Sequence, residues 1–223
     1  MAYSRQIEPS ALPEGASLAD RLVGIGIGLA GRGARDPTIE DTLLAASIAG
    51  MEHDDLRILA LLTTWLDVHH PWVNADRLVR AAGTVEHART RTYWAAVGAW
   101  LAGDRRFARL QRLHRDGRTA LLRTGTTFQI RRRGEDPRFK GTPLRVPAGV
   151  LRDRPSDIRT PSELAKVHRT YRQRVHLGPT YRADMWALLE SEPDLATAEL
   201  ARRTYGSYAT AWRVRRDFEI LAT

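Results

Sequence analysis

The stretch LATAELARRTYGSYATAWRVRRDFEIL, residues 195–221, indicates two helices joined by a tight turn. Thr197 is a good N-cap for the first helix, and Ser207 can cap the second after a turn that Gly206 permits. In the second helix, small and apolar residues recur at helical spacing, at Ala211, Val214, Phe218 and Leu221. This stripe predicts a buried face, so the segment favours a helical fold for this end of the chain.

The other side of the second helix is polar and basic. It carries Tyr208, Thr210, Arg213 and Arg216, and the first helix carries Arg202 and Arg203. The pattern Thr-x-Glu-Leu-Ala followed by Ser-x-x-Thr resembles the helix-turn-helix of bacterial transcriptional regulators. The resemblance covers the chain from Thr180 onward, where a further predicted helix completes a set of three.

In regulators of this kind the second helix enters the major groove of DNA, and residues near its N-terminus contact bases. The resemblance implies that the base-contacting residues are Ser207, Tyr208, Thr210 and Arg213. It implies phosphate contacts from Arg202, Arg203 and Arg216. The segment also resembles, on the helix-turn-helix alone, antitoxin-type regulators encoded beside nucleotidyltransferase toxins. The alternative is a plain three-helix bundle with a solvated arginine-rich face, or a module of this shape that binds protein.

The positive charge of the chain is concentrated in its second half. The 223 residues have a net charge of +9, and 33 of the 35 basic residues are arginine. Residues 1–114 contain 13 basic and 13 acidic side chains, whereas residues 115–223 contain 22 and 13. Such an asymmetry indicates a polyanionic partner, and we expect double-stranded DNA.

Residues 115–160 are predicted to form a basic β-hairpin followed by an extended connector. Residues 119–122 and 126–132 are strand-like, and a turn-rich stretch separates them from a third strand-like segment at 144–146. The hairpin would bring a basic tip to phosphates through Arg131, Arg132, Arg133, Arg138 and Lys140. Residues 147–161 contain three prolines and a glycine, which are typical of a connector.

Residues 1–114 are predicted to form a helical domain. Asp54 and Asp55 open a strongly apolar helix, and Asn74 can cap a shorter one. The shorter helix and the next, at about 86–102, repeat the rhythm of a helix-turn-helix. With the hairpin up to residue 146 as a wing, they would form a second winged-helix-like module; the alternative is a packed core. The expected fold is therefore mainly α with a small β-hairpin, and residues 161–223 form the helix-turn-helix domain.

Several classes of protein are excluded or disfavoured. The chain has no cysteine, so it can form neither disulfides nor thiolate metal sites. The histidines form no recognisable cluster, and the sequence has no phosphate-binding glycine loop and no serine nucleophile motif. We therefore expect no catalytic residues, no metal and no cofactor. The sequence has neither a long apolar span nor a signal-peptide pattern at residues 1–15, which favours a cytoplasmic protein, associated with the nucleoid if it binds DNA.

Two hypotheses for the function follow from these patterns. The first is a DNA-binding transcriptional regulator of a mobile or defence operon, which packs or dimerises through its N-terminal helical domain. The second is a non-enzymatic subunit of a larger nucleic-acid or defence assembly, whose basic half docks on RNA, DNA or an acidic protein. In the second hypothesis the protein contacts would come from the tryptophans Trp65, Trp72, Trp94 and Trp100.

Overall fold

The computed structural model describes residues 12–222, and most of them are helical. The segment 1–11, which includes most of the region without a signal-peptide pattern, lies outside the described residues. The helices are α1 Gly15–Gly24, α2 Ile39–Glu52, α3 Leu56–His69, α4 Ala75–Gly83, α5 Ala88–Trp100, α6 Thr126–Arg133, α7 Pro161–Val167, α8 Arg169–Leu177, α9 Tyr181–Ser191, α10 Thr197–Thr204 and α11 Tyr208–Ala222. Short 3-10 helices cover His70–Trp72, Arg105–Leu113 and Pro155–Asp157. The expectation of a mainly α fold is confirmed.

Side-chain caps define several of the predicted helix starts. The predicted cap of α10 is wrong, because Thr197 is already the first helical residue and the N-cap position is taken by Ala196, with no side-chain cap. Asp55 accepts hydrogen bonds from the backbone N–H groups of Arg57 and Ile58, both at 3.0 Å, and so begins α3. Asn74 accepts one from the N–H of Arg77 at 3.2 Å at the start of α4. Each cap satisfies donors that the first turn of a helix leaves free, which confirms both predicted starts.

The main core surrounds α3 and α5 and extends well past residue 114. The side chains of Trp65 and Trp94 are fully buried. Their indole N–H groups donate to the Ile25 carbonyl at 2.8 Å and to the Ser47 hydroxyl at 2.9 Å. The same core takes up Leu121, Phe139, Leu144, Val146, Leu151 and Ile158 from the middle of the chain. The middle segment therefore packs on the N-terminal helices.

The predicted β-hairpin is wrong. The strand-like residues 126–132 lie in α6, and the two short strands β1 (Thr119–Ala120) and β2 (Leu144–Arg145) pair in parallel, with Thr119 opposite Leu144. Gly125, at φ 77°, turns the chain into α6, and the Phe128 side chain is 67% exposed. In a strand, Phe128 and Ile130 would lie on one face and would need an apolar surface to cover them. A helix needs no such partner, because it forms its backbone hydrogen bonds within itself. No wing results.

Helix α5 belongs to the core. Thr92 and Tyr93, which the sequence places on the reading helix of a second module, are buried. Arg89 donates to the carbonyls of Met51 and Leu121, each at 2.7 Å. The alternative interpretation, a packed core, accounts for these contacts. Of the tryptophans considered for partner contacts, two are fully buried and two half-buried, so a dimer or partner interface through this domain stays a prediction.

The last three helices enclose a small core of their own. Met185 and Leu189 of α9, Leu200 and Ala201 of α10, and Ala211 and Val214 of α11 are buried together. The rings of Trp186 and Phe218 meet edge to face at its border, 5.4 Å apart. The expected set of three helices is present, with α9 as its first member.

A buried ion cluster joins these helices to the main core. The side chain of Arg174, in α8, is 1% exposed. Its guanidinium donates to Glu40 of α2, at 2.6 and 3.0 Å, and to Asp184 of α9, at 2.7 and 3.0 Å. Burial opposes ionisation of Glu40, but the Arg174 charge holds the pKa of that carboxyl below its usual range. The cluster therefore stays charged at neutral pH.

Removal of the central cation should be costly. We expect Arg174→Met to lower the free energy of unfolding by about 3–5 kcal/mol, because Asp184 then stays buried without its guanidinium partner and Glu40 keeps only Arg77, whose Nε lies 3.8 Å away. The triple variant Arg174→Met/Glu40→Gln/Asp184→Asn should recover part of that loss. Arg202→Ala, which breaks an exposed ion pair, should change it by less than about 1 kcal/mol. Urea unfolding measures the free energy of unfolding of the three variants. Equal effects of Arg174→Met and Arg202→Ala would contradict the expectation.

A second buried polar group, His69, should make stability depend on pH. Its Nε2 donates to the Arg159 carbonyl at 3.0 Å, and its Nδ1 accepts from the Tyr171 hydroxyl at 2.8 Å. Burial lowers the pKa of His69 to about 4. Unfolded chains bind a proton at histidine below about pH 6.5, and the folded chain does so only near pH 4. Stability from this group is thus full above pH 6.5 and is lost as the pH falls toward 4.

We expect the free energy of unfolding to fall over this pH interval, by about 3 kcal/mol at most from His69. The variant His69→Phe should show a shallower fall, relative to its own value at pH 7.5. A residual slope is expected because burial also lowers the pKa of His168. Denaturant titrations at pH 7.5, 6, 5 and 4.5 test this, and an unchanged slope in His69→Phe would rule out His69 as a source.

Candidate nucleic-acid interface

The turn between α10 and α11 is built by Tyr205 and Gly206 in different ways. Tyr205 has the left-handed conformation, with φ 58°, so the residue that makes the turn is not the predicted Gly206. Gly206 instead allows close packing, because a Cβ at this position would overlap Cε of Met185 in α9. The ring of Tyr205 lies under the Arg77 guanidinium of α4, 4.5 Å from its centroid. The turn is thereby held against the main core.

Helix α11 begins with a side-chain cap, as predicted. The Ser207 hydroxyl accepts from the backbone N–H of Thr210 at 3.1 Å and also bonds the Thr210 hydroxyl at 2.8 Å. Ser207 is exposed, and Thr210 is half-buried at the flank of the helix. Of the four predicted base-contacting residues, these two therefore already interact with each other.

The other two, Tyr208 and Arg213, lie on the exposed face of α11. The Tyr208 side chain is 53% exposed, and Arg213 is exposed one and a half turns further on. Trp212, 51% exposed, lies on the same face between them. Trp212 is not among the predicted site residues, although its spacing of four residues from both Tyr208 and Arg216 indicates this face. The buried residues Ala211 and Val214 lie on the opposite side.

The predicted phosphate-contacting arginines of this unit already have acidic partners. Arg202 bonds Glu199 at 2.7 Å, Arg203 bonds Glu192 at 2.6 Å, and Arg216 bonds Asp217 at 2.9 Å while it lies over the Trp212 ring. Hydrogen bonds from these arginines lower the pKa of each of the three carboxyls. Within residues 12–222, no carboxylate lies within ion-pair distance of Arg213. Arg213 is thus the cation of this face that is ready to bind an anion.

The basic residues of the absent hairpin lie on the main core. Arg131, Arg132 and Arg133 are exposed in the last turn of α6, where cations are favourable, and Lys140 is exposed as well. Arg138 differs from them, because it is half-buried and bonds Asp136 at 2.7 Å and Asp153 at 2.5 Å. These partners make Arg138 a structural residue of the loop.

Two other kinds of site, a metal centre and a membrane span, have no counterpart among the described residues. Between residues 12 and 222, no group of three or more His, Asp or Glu side chains could hold a metal ion. No helix in that part of the chain is long and apolar enough to cross a membrane.

The polar and aromatic face of α11, with Tyr208, Trp212 and Arg213 at its N-terminal half, is the candidate site. Comparison with known proteins adds no relative to it: no protein-family model, no curated protein and no solved structure matches this chain.

Proposed function

We propose that the protein is a DNA-binding transcriptional regulator of the cytoplasm, in which α10 and α11 act as a helix-turn-helix. The observation that carries this proposal is the exposed face of α11, which begins at the N-terminus of the helix and offers Tyr208, Trp212 and Arg213, the last without an ion pair to any carboxylate of residues 12–222. We infer no catalytic step. An operon that encodes its own regulator, as for antitoxin-type regulators, is the expected target.

The dimensions of α11 suit a major groove. The helix has 15 residues and is therefore about 22 Å long, and a major groove about 12 Å wide accepts one helix. Small residues near its start, Ser207 and Ala209, allow close approach to the base edges. Arg213 can donate two hydrogen bonds to a guanine, and Tyr208 supplies a hydroxyl and an apolar ring.

The ion pairs on the flanks support a role in phosphate binding. Arg202, Arg203 and Arg216 are exposed, and their pairs with Glu199, Glu192 and Asp217 lie at the surface. Exposed ion pairs contribute little to stability, so a phosphate can replace the carboxylate at small cost. Binding should then release counterions and weaken with added salt.

A docking role is the second candidate, favoured by the apolar end of the same helix. Ile220 and Leu221 are 64% and 75% exposed, so the prediction that Leu221 is buried with the rest of its stripe is wrong. Clusters of exposed apolar side chains mark contacts with protein partners. In that case substitution of Leu221 weakens partner binding, and DNA sequence has no effect.

The double variant Tyr208→Ala/Arg213→Ala tests the first candidate. We expect affinity for the promoter of the protein's own operon to fall by about 1–3 kcal/mol per lost base contact, with reduced preference over unrelated DNA. Fluorescence anisotropy with labelled duplexes over a series of salt concentrations measures both. Arg57→Ala, which removes an exposed arginine of α3, serves as the control.

Two results would contradict the proposal. One is a parent protein that binds no duplex at low salt. The other is a double variant that retains the parent's affinity and sequence preference, which would move recognition away from α11.

A further inference from the structure

The N-terminal half, whose charges sum to zero in the sequence, has a strongly basic surface at Arg105–Leu113. This 3-10 helix contains four arginines and no acidic residue. Phe107 and Leu110 are fully buried and anchor it to the core. The four arginines are exposed: Arg105, Arg106, Arg109 and Arg112. This short helix therefore packs its apolar side chains against the core and exposes its arginines.

Asp76 connects this basic helix to the helix-turn-helix unit. One of its carboxylate oxygens accepts from Arg109 at 2.9 Å. The other accepts from Arg80 at 2.9 Å and from the Tyr181 hydroxyl, at the start of α9, at 2.8 Å. One carboxylate therefore faces two guanidiniums, so the surface around it keeps an excess of positive charge.

Two clefts lie beside α4 and share Tyr181 in their linings. The first, of about 450 Å³, lies between α4, the basic 3-10 helix and the start of α9, and Arg105, Arg106 and Arg109 line it. The second, of about 510 Å³, lies between α4 and the start of α11, and Arg80, Ser207 and Tyr208 line it. We call the two together the α4 groove. Arg105 lines its first cleft, and Ser207 and Tyr208, two of the residues proposed to contact bases, line its second.

The charge of the α4 groove makes it suitable for a nucleic-acid strand. Four arginines line it, and within the described residues they form ion pairs with only two carboxylates, Asp76 and Asp104. Guanidinium groups bind phosphate oxygens with two parallel hydrogen bonds, and a row of them follows a sugar-phosphate backbone.

We propose that the α4 groove holds the sugar-phosphate backbone of the duplex whose bases α11 contacts. This inference rests on the proposed function and extends the binding surface from the last three helices to the N-terminal core. Arg105 and Arg109 bind phosphates that flank the base-contacting site. These contacts carry no sequence information, but they set the orientation of α11 in the groove.

The test compares two double variants with equal loss of charge. Arg105→Gln/Arg109→Gln removes two cations of the α4 groove, and Arg57→Gln/Arg152→Gln removes two exposed cations elsewhere. Binding of a promoter duplex and of an unrelated duplex is measured against salt concentration. The slope of log affinity against log salt is negative. We expect the groove variant to reduce its magnitude by about 1–2, for both duplexes alike. The control pair should leave the slope near that of the parent.

The possible results separate the two proposals. If the parent binds DNA but both double variants have the same slope, the α4 groove does not hold the backbone, and α11 stays the proposed reader. If the parent binds no duplex, both proposals fail. The single variant Arg105→Gln is measured as well. It should fold normally, because Arg105 has no ion pair within the described part of the chain. A slope equal to that of the parent in this well-folded variant would also overturn the inference.

Discussion

The buried guanidinium of Arg174 is the interaction on which the relative placement of the helices depends. It bonds Glu40 of α2 and Asp184 of α9 at once. Buried ion pairs contribute little net stability, but they tolerate few geometries. Around this cluster, Arg77 lies over Tyr205 and Asp76 accepts from Tyr181. The position of α11 beside α4 follows from these contacts.

Some local features of the fold could be predicted from the sequence, whereas the turn at Tyr205 and the contacts between distant segments could not. The caps at Asp55, Asn74 and Ser207 act within three residues, so they are visible in the sequence. The prediction of a hairpin was wrong because the residues at 126–132, although β-forming in type, have no partner strand and form α6 instead. Parallel pairing of β1 with β2 joins residues separated by 25 positions, and no local pattern encodes it.

The candidate site shows the same division. Periodicity identified Tyr208 and Arg213 on the open face of α11, but it did not show that Thr210 bonds Ser207 or that Arg202 and Arg203 are already paired. Splitting the charge at residue 114 gave a neutral N-terminal half. The zero net charge does not reveal the basic surface at Arg105–Leu113. Buried acids such as Glu40 cancel the charge of the exposed arginines in the sum, but they do not lie beside those arginines on the surface.

The docking of Tyr205 under Arg77 has an entropic consequence for binding. A reading domain on a flexible tether loses rotational freedom each time it settles on its target, and that loss weakens binding. Here the turn before α11 is clamped to α4, and α9 is tied to α2 through Arg174. The rotational freedom of α11 relative to the core is therefore lost during folding, and a partner that meets this surface encounters it already oriented.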